Sequence, residues 1–246
     1  MSADLKTVIP VPPPVLLPVE GSADFFPVRR VYCVGRNYAD HAIEMGHDPT
    51  FFFQKNPDNL LPAGKPFPYP PLSEDVHYEA ECVIFLKEGG ENIPVEKALD
   101  CIYGYAIGID FTRRDLQAVA KKMGRPWEVA KAFEFSAPVS PIVPADELGH
   151  PASGRIWLDH NGKRVQEGDL NQMIWKVPEI IRAVGLPRGA LSGTSTVPKA
   201  PTTVPFSTIR SSTRWRKAKV IFPSSSATRT RRMNGSRTAG PVPQVR

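Results

Sequence analysis

The chain has 246 residues, 41% of them hydrophobic and 23% charged, which is enough for one large domain with a buried core. Its 27 prolines argue against a helical bundle, because proline breaks helices, and no run of eighteen apolar residues is present to span a bilayer. The net charge of +6 is unevenly spread: residues 1–184 carry 19 Lys/Arg against 25 Asp/Glu, whereas residues 185–246 carry 12 Lys/Arg and no acid.

In chain order, residues 1–27 read as a proline-rich arm without the charged start or cleavage pattern of a signal peptide, so a cytoplasmic protein is expected. Val31–Val34 is a short strand, Tyr38–Met45 one or two helical turns, and Phe51–Phe53 another strand. Asn56–Pro71 reads as a long loop, and Tyr78–Leu86 as a strand that is polar first and apolar after. Val95–Leu99 begins a short helix. Ile102–Ile109 is a buried strand whose two glycines allow another backbone to approach closely. Arg113–Met123 has helical spacing. Arg155–Leu158 and Lys163–Gln166 flank Asn161-Gly162, the sequence of a type I′ hairpin, and Leu170–Val184 is a helix candidate carrying Pro178. Residues 185–246 are basic, rich in Ser, Thr, Pro and Arg, and read as disordered; their composition is that of a GC-rich gene translated out of frame. A basic arm for nucleic acid is the competing reading, but Trp215 is a lone aromatic there and nucleic acid is disfavoured as a partner. Cys33, Cys82 and Cys101 have neither metal nor redox spacing and read as buried thiols.

The chemistry-bearing residues are weak signals one by one. Glu79 and Glu81 alternate on a strand and so share a face, with Asp110 after the next strand as a third oxygen donor. Such a set suits Mg²⁺ or Mn²⁺, with Ca²⁺ also possible, although an alternating acid pair is usually a solvated face. His41 and Glu44 are three apart on a short helix, the arrangement of an imidazole oriented by a carboxylate to act as a base, or of an ordinary surface hydrogen bond. Lys131 sits in the apolar stretch Val129–Phe133, either snorkelling or holding an oxyanion. Arg114 and Gln117, three apart, could clamp a carboxylate.

Taken together and in order, these segments resemble the fumarylacetoacetate hydrolase family. Cys33-Val34-Gly35-Arg36-Asn37-Tyr38-Ala39-Asp40-His41-Ala42-Ile43-Glu44-Met45 resembles its N-terminal signature, and Tyr78-Glu79-Ala80-Glu81 its metal-binding strand. Gly108–Gln117 resembles its third-ligand segment, Ala130–Pro138 its catalytic-lysine stretch, and Asn161-Gly162, Gln166 and Met173-Ile174-Trp175 the hairpin and helix beyond. The details are most similar to the fumarylpyruvate hydrolase branch. The resemblance covers residues 28–184 as a catalytic domain and implies a β-rich α+β roll with short peripheral helices, usually dimeric.

It further implies a divalent metal on Glu79, Glu81 and Asp110, and a His41–Glu44 pair that activates water. Lys131 would sit at the developing oxyanion or leaving carbanion, with Arg36, Tyr38, Arg114 and Gln117 on the substrate. The implied reaction is cleavage of a carbon–carbon bond in a small 2,4-diketo acid, fumarylpyruvate first; a related oxo-acid decarboxylase or isomerase, or an inactive truncated member, are the alternatives. Three departures stand out. Ser140 replaces a frequent glycine, the segment between His47 and Phe51 is short, and the match stops near Val184, leaving Gly193-Thr194 as an accidental echo of a Gly-Thr-Pro motif.

Overall fold

The computed structural model describes residues 6–38 and 50–184, together with the backbone of residues 190–195, 209–213 and 219–221. Fourteen strands are seen among these: β1 Val15–Pro18, β2 Phe25–Val28, β3 Arg30–Gly35, β4 Phe51–Lys55, β5 Leu60–Pro62, β6 Val76–Leu86, β7 Ile102–Arg113, β8 Ala137–Val139, β9 Val143–Pro144, β10 Arg155–His160, β11 Lys163–Asp169, β12 Ala190–Ser195, β13 Ile209–Thr213 and β14 Lys219–Ile221. The α-helices are short: α1 Arg114–Lys122, α2 Glu128–Lys131, α3 Ala145–Leu148 and α4 Val177–Val184. This is the β-rich α+β architecture expected from the sequence. No described helix is long and apolar enough to cross a membrane.

The central sheet runs β4-β3-β12-β6-β7-β8-β5, with β9 also on β7; β11-β10-β13-β14 form a second sheet and β1-β2 a hairpin. Its axis is the long antiparallel β6–β7 ladder, in which alternation assigns each residue to a face. Tyr78, Ala80, Cys82 and Ile84, with Ile107, Ile109 and Phe111, join one apolar cluster that α4 and β10 cover through Ile181, Ile156 and Leu158. Val83, Phe85 and Ala106 point the other way, into a second cluster with Leu17, Phe26, Val28, Val31 and Cys33. Leu17, Phe26 and Val28 thus tie the β1–β2 hairpin, inside or beside the proline-rich arm, to the main core.

Several local expectations are met. Asn161 and Gly162 have φ of 51° and 79°, as a type I′ turn requires. Gly104 does admit a close backbone: a Cβ there would lie 2.4 Å from the Val143 carbonyl oxygen. Others are refined. Leu60–Pro62 within the expected loop pairs parallel to β8, and Leu170–Val184 splits into a 3-10 turn and α4, with Pro178 in the first turn where its missing N–H costs nothing. The expected disorder of the tail does not hold for β12, β13 and β14; β12 lies parallel to β3 and antiparallel to β6, with Gly193 between Cys33 and Val83. The expected Tyr38–Met45 helix lies outside the described residues after Tyr38.

Side-chain clasps also tie together segments remote in sequence. Asn37 donates from Nδ2 to the Trp175 carbonyl at 2.9 Å, and its Oδ1 accepts from the Trp175 N–H at 2.8 Å. Gln166 on β11 uses its amide like a strand residue: its Oε1 accepts from Ala80 N–H at 2.7 Å and its Nε2 donates to Ala80 O at 3.2 Å.

Candidate active site

Glu79 on β6 is the register partner of Asp110 on β7, and Glu81 is two residues along, so the ladder places all three carboxylates on one face of the sheet. A ligand oxygen from each lies within 4.8 Å of the others. Glu81 and Asp110 are buried and Glu79 is partly so. Like charges this close in a buried site need a compensating cation. Burial pushes the Glu81 carboxyl well above the carboxylate range; Asp110 and Glu79 push it the same way, and Lys131 and Lys55 pull it back.

Two ammonium groups reach the cage. Lys131, at the end of α2, is ion-paired to Asp110 Oδ2 and lies 3.6 Å from Glu79 Oε2. Burial alone would lower its pKa, but Asp110 and Glu79 outweigh that and hold it above the usual lysine value. Lys55, at the end of β4, stands 3.0 Å from Asp110 Oδ1. It also donates to the carbonyls of Phe111 at 3.2 Å and Ser136 at 3.3 Å, to Ser136 Oγ at 2.9 Å, and to the carbonyl of Lys131. On the outer side, Arg114 donates from Nη2 to Glu79 Oε1 at 3.0 Å and from Nη1 to Gln117 Oε1 at 2.6 Å. The first turn of α1 therefore holds Glu79 in place and presents a guanidinium and an amide beside it.

The donor set fits a hard divalent cation. All three groups offer oxygen, and Glu81 Oε1 is buried with no hydrogen-bond partner, an atom that a bound cation would satisfy. Glu79, Glu81 and Asp110 are the residues that would hold it.

The expected site residues separate into groups. Glu79, Glu81, Asp110, Lys131, Arg114 and Gln117 come together. Arg36 is buried at the end of β3 with φ 59°, its guanidinium carbon 5.5 Å from the Phe51 ring centre and 5.8 Å from that of Trp127. Tyr38 is placed elsewhere: it is fully buried in the apolar cluster on the opposite face of the sheet, bridged to Met173, where burial pushes its phenol up. His41 and Glu44 lie outside the described residues. Lys55 is the group that sequence reasoning passed over. The clue was present, since Phe51, Phe53 and Lys55 alternate along β4 and a lysine in phase with two aromatics is more than a polar strand end.

Ser140 is no disturbance. Its buried hydroxyl accepts from the Ile107 N–H at 3.1 Å and donates to the Pro141 carbonyl at 3.0 Å.

The fumarylacetoacetate hydrolase C-terminal family model matches residues 30–198, which carries the likeness past the expected boundary at 184 and through β12. A mitochondrial oxaloacetate tautomerase of Mus musculus is 40% identical over 160 residues, 63% of this chain and 72% of the mouse protein. A mitochondrial oxaloacetate decarboxylase of Dictyostelium discoideum is 35% identical over 160 residues, 63% of this chain and 73% of its own. Among solved structures, the fumarylpyruvate hydrolase of Pseudomonas aeruginosa, crystallised with Mn²⁺ and pyruvate, superposes with a TM-score of 0.78 at 37% identity, covering 89% of this chain and 98% of that one.

Proposed function

Because the chain belongs to the fumarylacetoacetate hydrolase family, whose members are enzymes, we propose that it hydrolyses a carbon–carbon bond in a small 2,4-diketo acid, with fumarylpyruvate as the substrate and fumarate and pyruvate as products. The observation that carries this is the cage of Glu79, Glu81 and Asp110 with Lys131 against it, read beside a fumarylpyruvate hydrolase of the same fold crystallised with Mn²⁺ and pyruvate. A divalent ion in that cage, Mg²⁺ or Mn²⁺, would polarise the oxo-acid end of the substrate.

The protein's own groups do the rest. Arg114 and Gln117 orient the substrate carboxylate next to Glu79. His41, oriented by Glu44, takes a proton from water, whose oxygen bonds to the distal carbonyl carbon. Lys131 supports the oxyanion formed there. The bond between that carbon and the neighbouring methylene then breaks, its electron pair leaves with the pyruvyl fragment, Lys131 donates a proton to that fragment, and the proton held by His41 restores the ammonium. Homodimerisation belongs to the same proposal.

A second reading, tautomerisation or decarboxylation of oxaloacetate, is favoured by the 40% identity to the mouse tautomerase. The two are separated by incubating the purified chain with Mn²⁺ and each substrate, following loss of the enol absorbance and appearance of pyruvate. Hydrolysis of fumarylpyruvate that disappears in Glu79→Ala and Lys131→Met is the expected outcome. Turnover of oxaloacetate alone would overturn the hydrolase reading in favour of the second.

A further inference from the structure

Phe51, Phe53 and Lys55 share one face of β4, and Lys55 ends at Asp110, so the row leads outward from the carboxylate cage. The Phe53 ring centre lies 5.0 Å from the Lys131 ammonium and 6.3 Å from the Phe51 ring. Both rings meet Trp127, at 6.5 and 5.1 Å, and Phe51 meets it edge-on at 86°. The Arg36 guanidinium closes the outer end of the row over Phe51 and Trp127.

Two features set this row apart from core packing. Phe51, Phe53 and Trp127 are all partly exposed, whereas the aromatic residues of the core, such as Phe85 and Phe111, are fully buried. And Gly35, the register partner of Phe51, makes room for the ring: a Cβ there would lie 2.7 and 2.8 Å from its outer carbons. The ring occupies that place only because residue 35 has no side chain.

We propose that this aromatic row is the specificity wall of the site and holds the part of the substrate distal to the oxo acid. Its ring faces match a planar conjugated chain, so an unsaturated arm is preferred over a short or saturated one. A four-carbon oxo acid held at the cage ends before the outer rings and gains little from them. The inference rests on the reading that the cage takes the oxo-acid end.

The test compares fumarylpyruvate with acetylpyruvate, which has the same diketo acid head and no unsaturated arm. In the Mn²⁺-loaded full chain, Trp127→Leu, Phe53→Leu and Gly35→Ala should each lose about tenfold more kcat/KM on fumarylpyruvate than on acetylpyruvate, the size of one aromatic contact. Equal losses on both substrates, or no loss, would overturn the wall. Should the unaltered chain turn over neither substrate, the hydrolase reading falls and the wall is judged by binding alone. Trp127 is one of four tryptophans, so saturable quenching of fluorescence by fumarylpyruvate should be lost in Trp127→Phe; quenching that persists would refute the assignment.

Discussion

Replacing Lys55 by methionine isolates the contribution of the ammonium, because the volume and the apolar stem are nearly kept. The wild-type ammonium neutralises Asp110 at 3.0 Å and satisfies the carbonyls of Phe111, Lys131 and Ser136 in a site with almost no solvent contact. Removing one partner of a buried ion pair costs roughly 3–5 kcal/mol, because the remaining charge stays buried. For a domain of this size that corresponds to a fall in Tm of roughly 6–20 °C. Lys131 still holds the other Asp110 oxygen, which argues for the lower half of that range. The same change removes a positive charge from the edge of the cage, so a divalent cation should stabilise Lys55→Met by more than it stabilises wild type. Thermal unfolding followed by circular dichroism, with chelator and then with Mn²⁺, reads both effects. A metal-free Tm within about 2 °C of wild type, or a smaller Mn²⁺-induced rise than in wild type, would refute this account of Lys55.

Other expectations follow from the same contacts. Glu81→Gln should abolish the Mn²⁺-induced rise in Tm, measured by differential scanning fluorimetry, because it removes a charged ligand from the centre of the cage. The Glu81 carboxyl is held above its ordinary value, so its contribution to metal-free stability is present below the unfolded carboxyl pKa of about 4.3 and is lost as pH rises through the raised folded value; Mn²⁺ should flatten that slope in a denaturant series across pH. Asn37→Ala removes two partly buried hydrogen bonds to Trp175 and should cost about 1–3 kcal/mol in urea unfolding. Ser140→Ala leaves the Ile107 N–H without its hydroxyl partner and should cost about 1–3 kcal/mol by the same measurement.

The site was legible in the sequence where strand alternation decides it. Glu79 and Glu81 had to share a face once β6 was recognised, and Arg114 and Gln117 had to share a side of α1. Asp110 was harder, since its place opposite Glu79 depends on a register that only the folded β6–β7 ladder fixes. The placement of Tyr38 was not legible, because a residue just past a strand end has no face to inherit; its bridge to Met173, a contact remote in sequence, turns it into the far cluster. Lys55 was hidden for the opposite reason, as its side followed from alternation but its partners are carbonyls contributed by three other segments. Composition misjudged β12, since a strand paired on both edges needs little apolar periodicity of its own to be held by its neighbours.

The position of β12 also sets the order in which the enzyme can be assembled. On a ribosome, β6 and β7 can zip as soon as both have emerged, and so can β3 with β4, but among the described residues these two ladders have no strand pairing with each other until residues 190–195 arrive between them. One ladder carries the carboxylates and the other carries Lys55 with Phe51 and Phe53. The nascent chain therefore holds two half-sites with open edges, and a segment synthesised after both brings them into register. Such pairing over long sequence distances is slow, and the interval before it is when the exposed edges of β3 and β6 would recruit another chain.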